Sequence, residues 1–305
     1  MRVAVSAITF RRPRGLRALL AAIAHLEAPE HAQVRVVIVD NDPDGSARAV
    51  VEEWRDAIRW PIDYDVERER GIPAARNRAV ALAGAAGCDA IAFVDDDEAP
   101  EPAWLVELLQ VRTDTGADVV TGPVIPEFEE APPSWLAPFF ERPRFADRTV
   151  IGYARTSNVL VDLDALPPGE PPFSPKLALT GGSDTHLFMR MARRGARIVW
   201  ADRAVVHETM PVTRVNPRWL LTREYRRGNT LSLCLRDLHD SWPARGKRVG
   251  RAGFEVLTGI VHLASSVVRG RAAALAGAQH LALAAGMIAG LFNVRYDEYA
   301  VIHGG

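Results

Sequence analysis

The chain has 305 residues, 48% hydrophobic and 25% charged, with a formal net charge of −1. That length suits one large α/β domain with an appendage. The balanced charge excludes a general nucleic-acid binder, which carries a basic excess. Lys176 and Lys247 are the only lysines, so arginine supplies nearly all the positive charge. The two cysteines, Cys88 and Cys234, stand in unrelated contexts without metal-ligand spacing, which fits a reducing compartment. A strand begins at Val3 with no signal-peptide pattern before it, so the expected location is the cytoplasm.

In chain order, residues 3–8 read as a first core strand and Thr9 opens a turn. Leu16, Leu19, Leu20, Ile23 and Leu26 then recur at helical spacing. A second apolar strand over residues 34–39 ends at Asp40-Asn41-Asp42-Pro43-Asp44-Gly45. Strand, helix and strand at this spacing imply a βαβ unit with parallel pairing. Asp40 reads equally as an Asx turn or as a ligand-facing residue. Residues 47–58 read as a helix and 62–66 as a half-buried strand. In the stretch Glu69-Arg70-Gly71-Ile72-Pro73-Ala74-Ala75-Arg76-Asn77, Pro73 suits a first helical turn. Such a helix start attracts anions, and Arg76 could add a charge-assisted contact to a diphosphate. An exposed helix arginine is the competing reading.

The most informative stretch is residues 91–102, IAFVDDDEAPEP. A short apolar run stopped by polar breakers reads as a strand buried on both faces. Ligands in open α/β sheets bind beyond the carboxyl ends of such strands. Asp95, Asp96, Asp97 and Glu98 crowd that end, and crowded carboxylates need solvent, protons or a shared cation. A Mg²⁺ or Mn²⁺ site and a solvated acidic loop before a helix near Pro102 both fit.

Trp104, Leu105, Leu108 and Leu109 mark the next helix, and residues 118–122 a strand. Residues 123–147 hold six prolines and five aromatics with no period, which reads as a flexible lid over a binding site or as a packed insertion. Residues 157–161 return as a strand, followed by a proline cluster at 167–175. In residues 179–188, LTGGSDTHLF, two glycines and Ser183-Asp184 signal a helix start, and Gly195 its stop. Residues 196–200 and 204–207 are short strands, and His207 follows Asp184 by 23 residues. From 211 to 252, ten Lys/Arg face three Asp/Glu. Two apolar stretches, 254–268 and 272–292, follow and are joined by Arg269-Gly270-Arg271. Basic residues beside such helices suit peripheral contact with the cytoplasmic face of an anionic membrane. A hairpin packed on the domain or on a second copy in a homodimer is the other reading.

The strand with Asp95-x-Asp97, an acidic residue, a proline and Trp104-Leu105 resembles the DxD region of the inverting family 2 glycosyltransferases of the GT-A fold. The resemblance extends over roughly the first 210 residues. It implies a Rossmann-like, mostly parallel sheet flanked by helices in residues 1–210, with a helical appendage in 211–305. It also implies transfer of a sugar from a nucleoside-diphosphate sugar to a saccharide or lipid-linked saccharide acceptor, in cell-surface or exopolysaccharide assembly. Thr9, Asp40, Gly71, Arg76, Asn77, Asp95 and Asp96 would bind the donor. Asp95, Asp97 and His207 would hold Mg²⁺ or Mn²⁺. Asp184 would be the general base, in a Gly-Gly-Ser-Asp where the family has Gly-Gly-Glu-Asp. Ser183 in place of glutamate leaves the base intact and puts an acceptor contact in doubt. Two other classes stay open. A sugar nucleotidyltransferase would need a Gly-rich phosphate loop, and Arg11-Arg12-Pro13-Arg14-Gly15 has one glycine. A non-catalytic nucleotide-sugar-binding scaffold would need no base.

Overall fold

The computed structural model describes residues 1–178 and 180–296. Leu179, before the glycine pair, and residues 297–305 of the C-terminal region lie outside the described residues. The first half of the sheet is built by β1 (Arg2–Thr9), β2 (Gln33–Asp40), β3 (Ile62–Val66) and β4 (Ala90–Val94), linked through α1 (Pro13–Ala24), α2 (Arg48–Trp54) and α3 (Ile72–Ala85). These four strands lie parallel in the order β3-β2-β1-β4. Their side chains alternate between two cores, as the two-residue period requires. Val3, Val5, Val36, Ile38, Ala92 and Val94 meet the apolar stripes of α1 and α2 on one face. Ala4, Val37, Val39, Ile91 and Phe93 meet Ala75, Ala79 and Ala83 of α3 on the other. Burial on both faces explains why β4 reads as an unbroken apolar run.

After β4 come β5 (Glu98–Pro100), α4 (Trp104–Thr115), β6 (Val119–Thr121), β7 (Val124–Phe128), β8 (Val150–Ile151) and β9 (Asn158–Asp162). Then follow α5 (Ser183–Arg193), β10 (Ile198–Trp200) and β11 (Val206–Met210). The main sheet continues as β4-β9-β6-β10-β8, with β9 antiparallel to both of its neighbours. A second sheet of three strands, β5-β11-β7, stands beside the end of β4. Asn158 ties the two halves together. Its Oδ1 accepts from Trp104 Nε1 at 2.8 Å, and its Nδ2 donates to the carbonyls of Pro123 at 2.9 Å and Ala204 at 2.7 Å.

The proline-rich stretch 123–147 is a packed insertion. Its first residues form β7, and Leu136 and Phe140 enter a cluster with Met210, Leu220 and Leu275. Beyond it lie α6 (Pro217–Leu238) and α7 (Trp242–Leu291), which pack along each other. Gly270 (φ 71°, ψ −162°) breaks α7 into two halves, at the junction that the sequence marks by Arg269-Gly270-Arg271.

Candidate active site

The acidic turn between β4 and β5 is held from inside. Asp96 is 5% exposed; the Thr9 hydroxyl donates to its Oδ2 at 2.7 Å and Arg12 Nη1 to its Oδ1 at 3.0 Å. Thr9 and Asp96, both expected to contact donor, thus brace the turn. Gly15 of α1 lies against it so closely that a Cβ there would sit 2.5 Å from the Asp96 carbonyl oxygen. The Asp95 N–H donates to Glu98 Oε2 at 2.8 Å, which closes the loop. What the brace leaves outward is Asp95 and Asp97, whose side chains are 37% and 27% exposed.

Charge at this turn is balanced by arginines from distant parts of the chain. Arg76, buried in α3, donates to Asp95 Oδ1 at 3.2 Å. Arg12 donates to Asp97 Oδ2 at 3.1 Å, and Arg214 lies 3.8 Å from the same oxygen. Arg214 also lies 3.6 Å from Glu208, which pairs in addition with Arg142. The balance is incomplete. Burial pushes the Asp96 pKa up to about 6, with Arg12 opposing and Asp97 adding. Burial also raises Asp95, against Arg76, and the charges of Asp97, Asp184 and Glu208 raise it further. Glu98 is raised well above the carboxylate range by burial, then by Asp95 and Glu208. Crowded acids with raised pKa values are what functional sites gather.

Asp184 is the second residue of α5, after Gly182 in the left-handed region. Its Oδ1 accepts the Thr185 N–H at 2.6 Å. Ser183 beside it is buried, and α5 packs on α6. The Asp184 charge acts on Asp95, so the helix start and the acidic turn share one electrostatic neighbourhood.

Three residues expected at the donor site make hydrogen bonds within the chain. Asp40 is fully buried: its Oδ1 accepts the Asp42 N–H, and its Oδ2 accepts the Ala47 N–H and the Tyr64 hydroxyl. This is the Asx-turn arrangement. Asn77 exchanges two hydrogen bonds with the Phe173 backbone, at 2.8 and 2.9 Å. Gly71 starts α3, with its N–H held by Asn41 Oδ1 at 2.8 Å. His207, expected as a metal ligand, lies between two carboxylates. Its Nε2 lies 2.9 Å from Glu101 and its Nδ1 2.9 Å from Glu127, on the opposite side of β11 from Glu208. Glu208, one residue on, is the β11 side chain that acts on Asp95 and Glu98.

Among the described residues no group of three His, Cys, Asp or Glu side chains converges as a ready-made metal site. Asp95 and Asp97 nonetheless suit a hard divalent cation: both offer carboxylate oxygens, both are partly open, and both stand in excess negative charge.

A mostly parallel sheet flanked by helices, with a DxD turn beyond its central strand and an aspartate opening a nearby helix, defines a GT-A glycosyltransferase. The chain belongs to Glycosyl transferase family 2, whose sequence profile matches residues 5–165. It is 32% identical over 304 residues to the succinoglycan biosynthesis protein ExoM of Rhizobium meliloti (strain 1021), covering 98% of this chain and 95% of that one. Among solved structures it is similar to the mannosyltransferase PcManGT from Pyrobaculum calidifontis in complex with GDP-Man and Mn²⁺. That match has a TM-score of 0.61 at 14% identity over 95% of this chain and 87% of the other. S. aureus TarS matches with a TM-score of 0.56 at 17% identity over 88% of this chain and 44% of TarS. At these identities the solved structures speak for the fold.

Proposed function

We propose that the chain transfers a sugar from a nucleoside-diphosphate sugar to an acceptor hydroxyl with inversion, in the assembly of an exopolysaccharide. The observation that carries this reading is the braced acidic turn beyond β4, with the Asp95 and Asp97 side chains left partly open and Asp184 in the first turn of α5. The relation to a protein named for succinoglycan biosynthesis supports the polysaccharide part. Asp95 and Asp97 would hold a Mg²⁺ or Mn²⁺ ion, which when bound neutralises charge developing on the departing diphosphate. Arg76 fixes Asp95 in place for that task. Asp184 takes the proton from the attacking acceptor hydroxyl, and the hydroxyl oxygen forms the new bond to the anomeric carbon as the bond to the departing diphosphate breaks on the opposite face. One displacement of this kind inverts the anomeric centre.

The test is a panel of nucleotide sugars with Mn²⁺ or with EDTA, read as release of nucleoside diphosphate and as the anomeric configuration of the product. Metal-dependent release with an inverted product is the expected result. Release that is indifferent to EDTA removes the metal, and a retained configuration removes the single displacement.

A further inference from the structure

Among the described residues the C-terminal helices leave one face uncovered, and it is largely apolar. The first half of α7, residues 242–269, gives its inner side to α6 and to the returning half. Arg248 there donates to the Ser232 carbonyl at 3.3 Å, and Ala252 is buried. Gly259 and Gly277 cross so tightly that a Cβ on either would lie 2.9 or 2.7 Å from the other's carbonyl oxygen. The outer side is apolar and open: Trp242 is 84% exposed, Leu257 66%, Ile260 53%, Val261 67%, Val267 90% and Val268 91%. At 3.6 residues per turn these fall on one half of the helix circumference. Patches of this size mark protein or membrane interaction sites.

The charges decide between those two. The exposed charged residues of 242–271 are Arg245, Lys247, Arg251, Arg269 and Arg271, all basic; Arg245 pairs with Asp240, Arg251 with Glu255, and Arg271 lies over Trp135, which leaves Lys247 and Arg269 as the cations outside these contacts. The one carboxylate in the stretch, Glu255, is buried and bridged to Arg251 and His280. A second copy of the chain would add no carboxylate from this stretch for Lys247 and Arg269, because Glu255 is buried and already bridged. An anionic lipid surface supplies the opposite charge to Lys247 and Arg269 on one flank and an apolar layer to the stripe beside them. By length and a mean hydropathy of 1.5 over an 18-residue window, α7 passes as a membrane span, but Gly270 turns it back and its second half is packed against α6.

We propose that residues 242–269 lie in the plane of an anionic membrane surface, with Val267 and Val268 at the turn entering its apolar layer. The face then tethers the transferase where acceptors carried on lipids are found. The test is sedimentation of the full chain with vesicles of phosphatidylcholine alone, or of phosphatidylcholine with phosphatidylglycerol. A double variant, Val267→Asp with Val268→Asp, is run beside it; both sites are too exposed for the fold to depend on them. Circular dichroism and nucleotide binding confirm that the variant is folded. The wild type should pellet with the anionic vesicles, less so as salt rises, and the variant should bind at least about tenfold more weakly. No pelleting of the folded wild type, or equal pelleting of the variant, overturns the proposal. So does a wild-type dimer in solution that the double variant converts to monomer, because the face is then a contact between copies.

Discussion

At the residue scale, the site separates carboxylates that brace from carboxylates that face outward. Asp97 belongs to the second kind, and its partners Arg12 and Arg214 keep Asp96 and Glu208 when it is lost. Asp97→Ala should therefore leave thermal stability nearly unchanged while abolishing Mn²⁺-dependent binding of UDP or GDP, measured by calorimetry. Unchanged metal-dependent affinity would move the cation elsewhere. Asp95 and Asp97 were legible in sequence because an apolar run that stops at three aspartates places them beyond a strand end. Glu208, Arg12 and Arg214 were not. They reach the turn from separate segments, and local pattern carries no distance between such segments. The one available signal was alternation in β11, which sets His207 and Glu208 on opposite faces. For Asp40 and Asn77 a polar residue at a strand end or in a helix start looks alike whether it meets a ligand or the backbone.

At the element scale, the second sheet is positioned by a buried polar clamp. Asn158→Ala leaves the Trp104 indole N–H and the carbonyls of Pro123 and Ala204 without their partner. Each orphaned buried group costs ~1–3 kcal/mol, so the loss should reach about 3 kcal/mol or more in urea unfolding. A loss under ~1 kcal/mol would mean that water replaces the amide. The start of α5 carries a pH dependence of its own. Burial lowers the His186 pKa, against the pull of Asp237 2.9 Å from its Nε2. A histidine kept neutral in the fold adds stability above its unfolded pKa of about 6.5, and that stability is lost as pH falls through the lower folded value. The melting temperature should therefore drop between about pH 7 and about pH 5, and His186→Gln should flatten that drop. Equal slopes for the two proteins would assign the dependence to other groups. The βαβ elements of the first half were readable from period alone. β5 and β7 were not, since strands this short within proline-rich sequence show no alternation and form by pairing with β11.

At the scale of the whole molecule, the helical layer and the catalytic sheet are joined through the aromatic insertion. Phe140 stacks on Trp219 of α6, Arg223 donates to the Phe139 carbonyl at 3.0 Å, and Arg271 lies over the Trp135 ring. The apolar content of that insertion was visible in sequence, while its partners lay far down the chain and were not. The joint links the helix with the exposed apolar face to the domain that carries the acidic turn.

The central claim, that the acidic turn and the start of α5 form one transfer site, is tested most directly by Asp184→Asn. The substitution keeps the size of the side chain and an oxygen for the Thr185 N–H, but cannot take a proton at neutral pH. A general base contributes ~10²–10⁴-fold. Nucleoside diphosphate release during transfer from a nucleotide sugar should fall by that order, with Mn²⁺-dependent nucleotide affinity unchanged. Transfer by Asp184→Asn at the wild-type rate would contradict the claim and leave Gly-Gly-Ser-Asp as no more than the start of a helix.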